Sequence, residues 1–336
     1  MRAAVFENNK FIIRDIEKPS LEYYKKGAIV KVRGCGLCGS DIVKMNNGQA
    51  KNGDVLGHEV VGEIIDINSD TDFRTGERIS LGHHVPCFEC VYCYSGNYSM
   101  CRHFKTTNIR PGGFCEYIYV SEEHLTNTVF RVNLSLSDIE ASFTEPLGCC
   151  IRAVKRACIN PESKSLVIGL GSVGILMGAA LRAFGYNVFG CDIKKERADL
   201  SLEYGFEKSF VIDDEQYTLE QMKKYAPLGF DTVFLTAGAS KTIDFSLKSA
   251  RDGAKIVVFS SVKDLNGFQN NLIYYRELTV MGSYSPSPSD LEDSVNFIEK
   301  GNVKVSGLST IYNLENINEA IEDTRTGKIM KAYIQI

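Results

Sequence analysis

Four cysteines stand close together as Cys87-x2-Cys90-x2-Cys93-x7-Cys101. Thiolates at such short spacings can surround one Zn2+ tetrahedrally and leave no position open, which is a structural site. The residues between them are polar or aromatic, including Tyr92, Tyr94, Ser95, Gly96, Asn97 and Tyr98. Too little apolar side chain is present to form a core there, so a metal would hold the lobe together. Four thiolates also suit an iron–sulfur cluster, and an interaction-type zinc finger is a further alternative.

A second set of candidates is more scattered. Gly36-Leu37-Cys38-Gly39-Ser40-Asp41 and Gly57-His58-Glu59 lie 20 residues apart, and Thr144-Glu145-Pro146-Leu147 follows much later. Cysteine, histidine and carboxylate together suit Zn2+, and three protein ligands leave a fourth position for water or substrate. Singly these residues carry little weight, because a lone cysteine is most often a small buried hydrophobe. Adjacent strand residues point to opposite faces, so His58 and Glu59 can serve one metal only if the backbone turns there.

A third element could hold a dinucleotide. Gly169-Leu170-Gly171-Ser172-Val173-Gly174 fits G-x-G-x-x-G, with an apolar run before it and an apolar helix-like run after it. In such a loop the first glycine allows the tight turn. The second lets pyrophosphate approach the backbone, and the third lets helix and strand pack closely. The free N–H groups of the helix start would bind phosphate. An acidic residue is expected about 20 positions on. Asp192 lies 18 residues beyond Gly174 and can hold ribose hydroxyls while repelling a 2′-phosphate, which favours NAD over NADP. Lys194, Lys195 and Arg197 pull the other way.

The elements that must position these groups differ along the chain. Residues 1–140 show short apolar runs broken by Gly, Asn, Asp and Pro, the texture of a β-rich domain. From about 165 to 280, the strands expected at Leu166–Leu170, Val188–Cys191, Thr232–Thr236 and Lys255–Phe259 alternate with helix-like segments such as Val173–Phe184 and Lys194–Tyr204. That alternation implies βαβ units and a parallel sheet, hence an α/β fold. Ser289–Lys300 reads as a helix and Ala332–Ile336 as a closing strand. The 336 residues suffice for two domains. A net charge of −4 offers no basic excess to meet nucleic-acid phosphates. Residues 165–181 carry no charge but are short for a membrane span and hold four glycines, so a buried strand–turn–helix is expected there. No signal-peptide core opens the chain. With eleven cysteines and no export signal, a cytoplasmic location is expected, where clustered cysteines point to metal rather than disulfides.

Taken together, Gly34 to Asp41, Gly57-His58-Glu59 with Gly62, the four-cysteine lobe, Gly113-Phe114 with Glu116-Tyr117, and the glycine loop resemble the zinc-containing medium-chain dehydrogenases over essentially the whole chain. The pattern is most similar to the sorbitol-type polyol and threonine dehydrogenases. Those carry Glu-Pro-Leu, here Glu145-Pro146-Leu147, where simple alcohol dehydrogenases carry a third zinc-binding cysteine.

The resemblance implies a GroES-like catalytic domain over 1–148 and 283–336 and a Rossmann domain over 149–282. It implies two zinc ions, a structural one on Cys87, Cys90, Cys93 and Cys101 and a catalytic one on Cys38, His58, Glu59 and Glu145. Glu145 would bind that metal directly or hold its water. Ser40 would hydrogen-bond the substrate oxygen and take its proton while hydride passes to NAD. Gly169, Gly171, Ser172, Val173, Gly174, Asp192 and Arg197 would meet the cofactor. The expected substrate is a small secondary alcohol, first a polyol or sugar alcohol, then L-threonine, then a simple alcohol. A homodimer or homotetramer is implied, with no nucleic-acid or membrane partner. Val43 stands where many relatives have a proton-relay histidine, so the proton must leave through Ser40, water, the ribose or a carboxylate. Two competing functions are a zinc-independent reductase of activated double bonds and a zinc-stabilised binding protein without catalysis. His83, His84, His103 and His124 have no motif role. Cys35, Cys115, Cys149, Cys150, Cys158 and Cys191 are expected to be buried packing residues.

Overall fold

The computed structural model describes residues 1–238, 240–260 and 270–336. The chain divides into two compact units. One comprises Met1–Gly148, Pro286–Gly301 and Val305–Ile336, and the other Cys149–Ser285 with Asn302–Lys304.

The first unit is built on strands. β1 (Arg2–Glu7) and β2 (Lys10–Asp15) form a hairpin. The main sheet holds β3 (Gly27–Gly36), β4 (Glu59–Asn68), β5 (Arg78–Leu81), β6 (Tyr117–Val120) and β7 (Val129–Arg131). The late strands β14 (Ser309–Asn313) and β15 (Lys331–Gln335) complete it. Its order is β14-β15-β3-β4-β5-β7, with β6 also pairing β3. Alternation along β3 and β4 sends Ala28, Val30, Val32, Val60 and Ile64 into one core with Phe6, Phe11 and Phe114. The register places Gly36 opposite Glu59 on one side and Tyr333 on the other. The ends of three strands therefore converge where Cys38, Glu59 and Lys331 sit.

The second unit is a six-stranded parallel sheet of β8 (Lys164–Ile168), β9 (Asn187–Asp192), β10 (Lys208–Val211), β11 (Phe230–Leu235), β12 (Ala250–Val258) and β13 (Thr279–Gly282). The order β10-β9-β8-β11-β12-β13 is the 3-2-1-4-5-6 arrangement of a doubly wound dinucleotide-binding sheet. Helices on both faces bury such strands, so they read as near-continuous apolar runs rather than alternating ones. All but the first residue of β8 and of β9 are buried.

The strand expected at Leu166–Leu170 ends instead at Ile168. Gly169 takes φ +93°, which turns the chain before Leu170. β10 and β13 are short and carry no strong periodic signal, and neither was read from the sequence. The uncharged stretch 165–181 is a strand, a turn and the start of the helix Ser172–Ala183. Among the described residues no helix is long and apolar enough to cross a membrane. Cys158 corrects the expectation of a buried packing residue: it is exposed at the end of the helix Thr144–Ala157, with φ +45°. Cys149 is only partly buried.

Candidate active site and its two metal-ligand clusters

Cys38 caps the helix Gly39–Asn46. Its sulfur accepts from the Ser40 N–H at 3.5 Å, and its own N–H donates to Asp41 Oδ2 at 3.2 Å. Two orphan helix donors are thereby satisfied. Asp41 is fully buried, and its other oxygen, Oδ1, stands 3.4 Å from His58 Nδ1. One residue thus caps the helix and orients the histidine. Burial opposes the Asp41 charge, but His58, Lys44 and the Cys38 N–H outweigh it and lower its pKa. Burial likewise opposes a charged His58, yet Asp41 and Cys38 hold its pKa well above the usual value.

His58 and Glu59 reach one point because His58 lies just ahead of β4, which begins at Glu59. Gly57 turns the chain there with φ +91°, and a Cβ on it would lie 2.9 Å from the Phe114 ring. One ligand atom each of Cys38, His58 and Glu59 lie within 4.8 Å of one another. Glu59 is 1% exposed. Its Oε2 is 2.5 Å from Lys331 Nζ, while Oε1 has no hydrogen-bond partner among the described residues. A buried carboxylate oxygen left unpaired is costly unless something absent completes it. Thiolate, imidazole and carboxylate are also a donor set that suits Zn2+. The trio therefore fits the metal. Glu145 is buried in the first turn of Thr144–Ala157, and its charge is felt by Lys331. Ser40 is exposed at the start of its helix, and Val43 is 45% exposed.

Lys331 is the residue that sequence reasoning missed. It is 5% exposed and also donates to the Leu37 carbonyl at 3.3 Å. It thus ties the β3 end that leads to Cys38 to the β4 start that carries Glu59. Burial works against its ammonium group, but Glu59, Cys38 and Glu145 prevail and raise its pKa. Room for the pair comes from Gly36, where a Cβ would stand 1.9 Å from Glu59 Oε2. The one available signal was a lysine opening the otherwise apolar run Lys331-Ala332-Tyr333-Ile334. His83 was also given no role, yet its buried ring lies 4.5 Å from that of His58. Burial holds His83 well below the usual histidine pKa and pushes His84 down to about 4.

The four-cysteine lobe is tight. Its sulfurs lie within 4.8 Å of one another, with Cys87–Cys93 at 4.0 Å, Cys90–Cys93 at 3.6 Å and Cys87–Cys101 at 3.5 Å. A tetrahedron of 2.3 Å zinc–sulfur bonds has edges of about 3.8 Å. Disulfides would bring sulfurs to about 2.05 Å. A cluster whose thiolates bind different irons would spread them further apart. The separations therefore suit a single tetrahedral ion.

In the second unit, Gly171 is the N-cap of Ser172–Ala183 and offers no side-chain cap, so the first N–H groups of the helix remain for a ligand. A Cβ on Gly174 would meet the Gly169 carbonyl at 1.9 Å, whereas one on Gly171 would find nothing nearer than Arg197 Nη1 at 4.0 Å. The packing glycine and the open glycine are thus distinct. Asp192 accepts from the N–H groups of Leu170 at 2.7 Å and Lys194 at 2.9 Å, and Arg197 lies 3.8 Å from it. Part of the carboxylate's capacity is therefore spent on fixing the loop.

A doubly wound sheet with a phosphate-binding loop, joined in one chain to a β-rich unit carrying a Cys/His/Glu trio, defines a metal-dependent dehydrogenase. Residues 24–129 match the family described as the alcohol dehydrogenase GroES-like domain, and residues 172–300 match the zinc-binding dehydrogenase family. Sorbitol dehydrogenase of Bacillus subtilis (strain 168) is 30% identical over 336 residues, covering 96% of this chain and 93% of that protein. Probable D-xylulose reductase A of Aspergillus terreus is 28% identical over 322 residues, covering 92% and 90%. Galactitol-1-phosphate dehydrogenase from Escherichia coli superposes with a TM-score of 0.88 at 24% identity, covering all of both chains. The chain belongs to the zinc-binding, medium-chain alcohol dehydrogenase family. It is an alcohol or polyol dehydrogenase that works with zinc and a nicotinamide cofactor.

Proposed function

We propose that the enzyme oxidises a secondary alcohol of a polyol or sugar alcohol to a ketone, with NAD as hydride acceptor. The carrying observation is the carboxylate character of the site. Glu59 is pinned by Lys331 within the trio, and Glu145 is buried beside it. The likeness to sorbitol dehydrogenase supports the same reading. In this reading Cys38, His58 and Glu59 hold the reaction zinc, with Glu145 ligating it or holding its water. The cysteine lobe holds a second, structural zinc.

When bound, zinc acidifies a coordinated hydroxyl and the nicotinamide accepts hydride. The chain's own residues orient the substrate and move its proton. Ser40 is the exposed hydroxyl nearest in sequence to Cys38, so it hydrogen-bonds the reacting oxygen and takes its proton. Val43 cannot titrate, so the proton passes on from Ser40 to water or to Glu145. Asp41 keeps His58 in one orientation, leaving Nε2 for the metal. Gly169, Gly171, Ser172, Val173 and Gly174 seat the pyrophosphate. Asp192 disfavours a 2′-phosphate, and Arg197 tempers that preference. We also propose a homodimer or homotetramer, supported by the exposed strand β13 at the sheet edge.

The test is a screen of sorbitol, xylitol, galactitol, L-threonine and 2-propanol for reduced cofactor, with NAD and NADP in parallel. Highest kcat/KM for a polyol with NAD is expected. A preference for threonine or 2-propanol would overturn the substrate class, and a preference for NADP the role given to Asp192.

A further inference from the structure

A continuous column of rings joins the two metal-ligand clusters of the first unit. The His58 ring lies 4.5 Å from His83, His83 lies 3.9 Å from His84, and His84 lies 4.8 Å from Phe104. Successive planes are tilted by 42°, 43° and 45°. Phe104 is buried in the small cluster that contains Cys93 and Cys101, and it is that cluster's one buried residue other than cysteine. We propose that His83, His84 and Phe104 are positioning residues through which the four-cysteine lobe fixes the orientation of His58.

Backbone and side-chain bonds run parallel to the rings. Cys101 is the N-cap of the helix Arg102–Thr106, which carries Phe104 on its first turn. The next residue, Thr107, is bonded to both histidine-segment neighbours. His84 Nδ1 lies 2.5 Å from its carbonyl oxygen, and the Val85 N–H donates to its Oγ1 at 2.9 Å. The far side is held as well. His124 Nε2 pairs with the His83 carbonyl at 3.0 Å, and Ser121 Oγ holds His124 Nδ1 at 2.7 Å. His83 therefore cannot move toward or away from His58 without disturbing either the helix that starts at Cys101 or the helix Glu122–Asn127 that carries His124. The lobe has almost no apolar core of its own, so its shape follows its thiolates. Whatever sets the position of Cys101 sets Phe104, and the closely packed column carries that position to His58. A ring in contact with a ligating histidine limits its rotation, as its Asp41 partner does from the other side.

The inference rests on the ligand assignment proposed above, and its test keeps the two apart. Cobalt is loaded at the trio with zinc left in the lobe. The visible cobalt bands and the competition of a chelator for cobalt are then measured on the whole enzyme. Phe104→Ala and, separately, His84→Ala are expected to shift the bands and weaken cobalt binding about tenfold, the lower end of what outer partners of a ligand contribute. His84→Phe, which keeps a ring at that place, restores much of the wild-type spectrum. Phe88→Ala, an exposed residue of the same lobe outside the column, leaves spectrum and affinity unchanged. Unaltered bands and affinity in both alanine variants, while Cys38→Ser abolishes the bands, would overturn the column alone. Wild-type bands in Cys38→Ser would overturn the ligand assignment and the column with it.

Discussion

The two cysteine-bearing sites of the first unit are built by opposite means. The four-cysteine lobe has short spacings, three very short helical turns and, besides two of its cysteines, only Phe104 buried in its apolar cluster. Its order depends on what the thiolates bind. The trio of Cys38, His58 and Glu59 draws on distant strands, and its supports come from the protein itself: a reciprocal helix cap, an aspartate behind the histidine and a buried lysine behind the glutamate. The difference matches the roles. A closed site needs no precise scaffold because four ligands define their own tetrahedron. A site with an open position must have its geometry imposed from outside.

Breaking the open site at its ligand should have the largest effect. Cys38→Ser is expected to lower kcat by roughly a thousandfold or more, because metal polarisation supplies several kcal/mol. Nicotinamide binding, measured by cofactor fluorescence, stays near wild type because the glycine loop lies in the other unit. Next comes the imposed scaffold. Lys331→Met leaves the Glu59 charge buried without its partner and should cost about 3–5 kcal/mol in urea unfolding. Lys331→Arg should restore most of it. A cost below 1 kcal/mol for the methionine variant would mean that the pair is not essential to the site.

These two residues also show what could be read from the chain. Cys38, His58 and the lobe cysteines are legible because each belongs to a contiguous motif whose spacing reflects local geometry. The doubly wound sheet is legible for a related reason: its buried strands are apolar throughout, and the glycines mark where the chain must turn. Lys331 was not legible, because it meets Glu59 only after β15 pairs with β3. No local pattern records that long-range register. His83 and His84 were set aside for the same reason, since their partners His58 and Phe104 are defined by tertiary packing. The end of β8 was misplaced by two residues because apolarity continues into Leu170 while the backbone has already turned at Gly169.

Acid should sharpen the comparison with a smaller effect. His84 is held neutral by burial with a folded pKa of about 4, against about 6.5 when unfolded. The unfolded chain therefore binds the extra proton first as pH falls. Stability is full above about pH 6.5 and is lost as pH drops toward 4, by up to roughly 3 kcal/mol for this group. His84→Gln should flatten that part of the stability–pH curve measured by chemical unfolding. Smaller still, Asp41→Asn keeps the shape but loses the charge behind His58. About a tenfold to hundredfold loss of metal affinity at the trio is expected in chelator competition, with the lobe metal unaffected.

The most direct measurement is the zinc content of the purified chain beside that of Cys38→Ser. Two zinc ions per chain are expected for the native protein, one for each ligand cluster. One is expected for the variant, retained in the lobe, with no polyol oxidation. Two zinc ions in Cys38→Ser, or wild-type turnover with a single ion, would contradict these expectations.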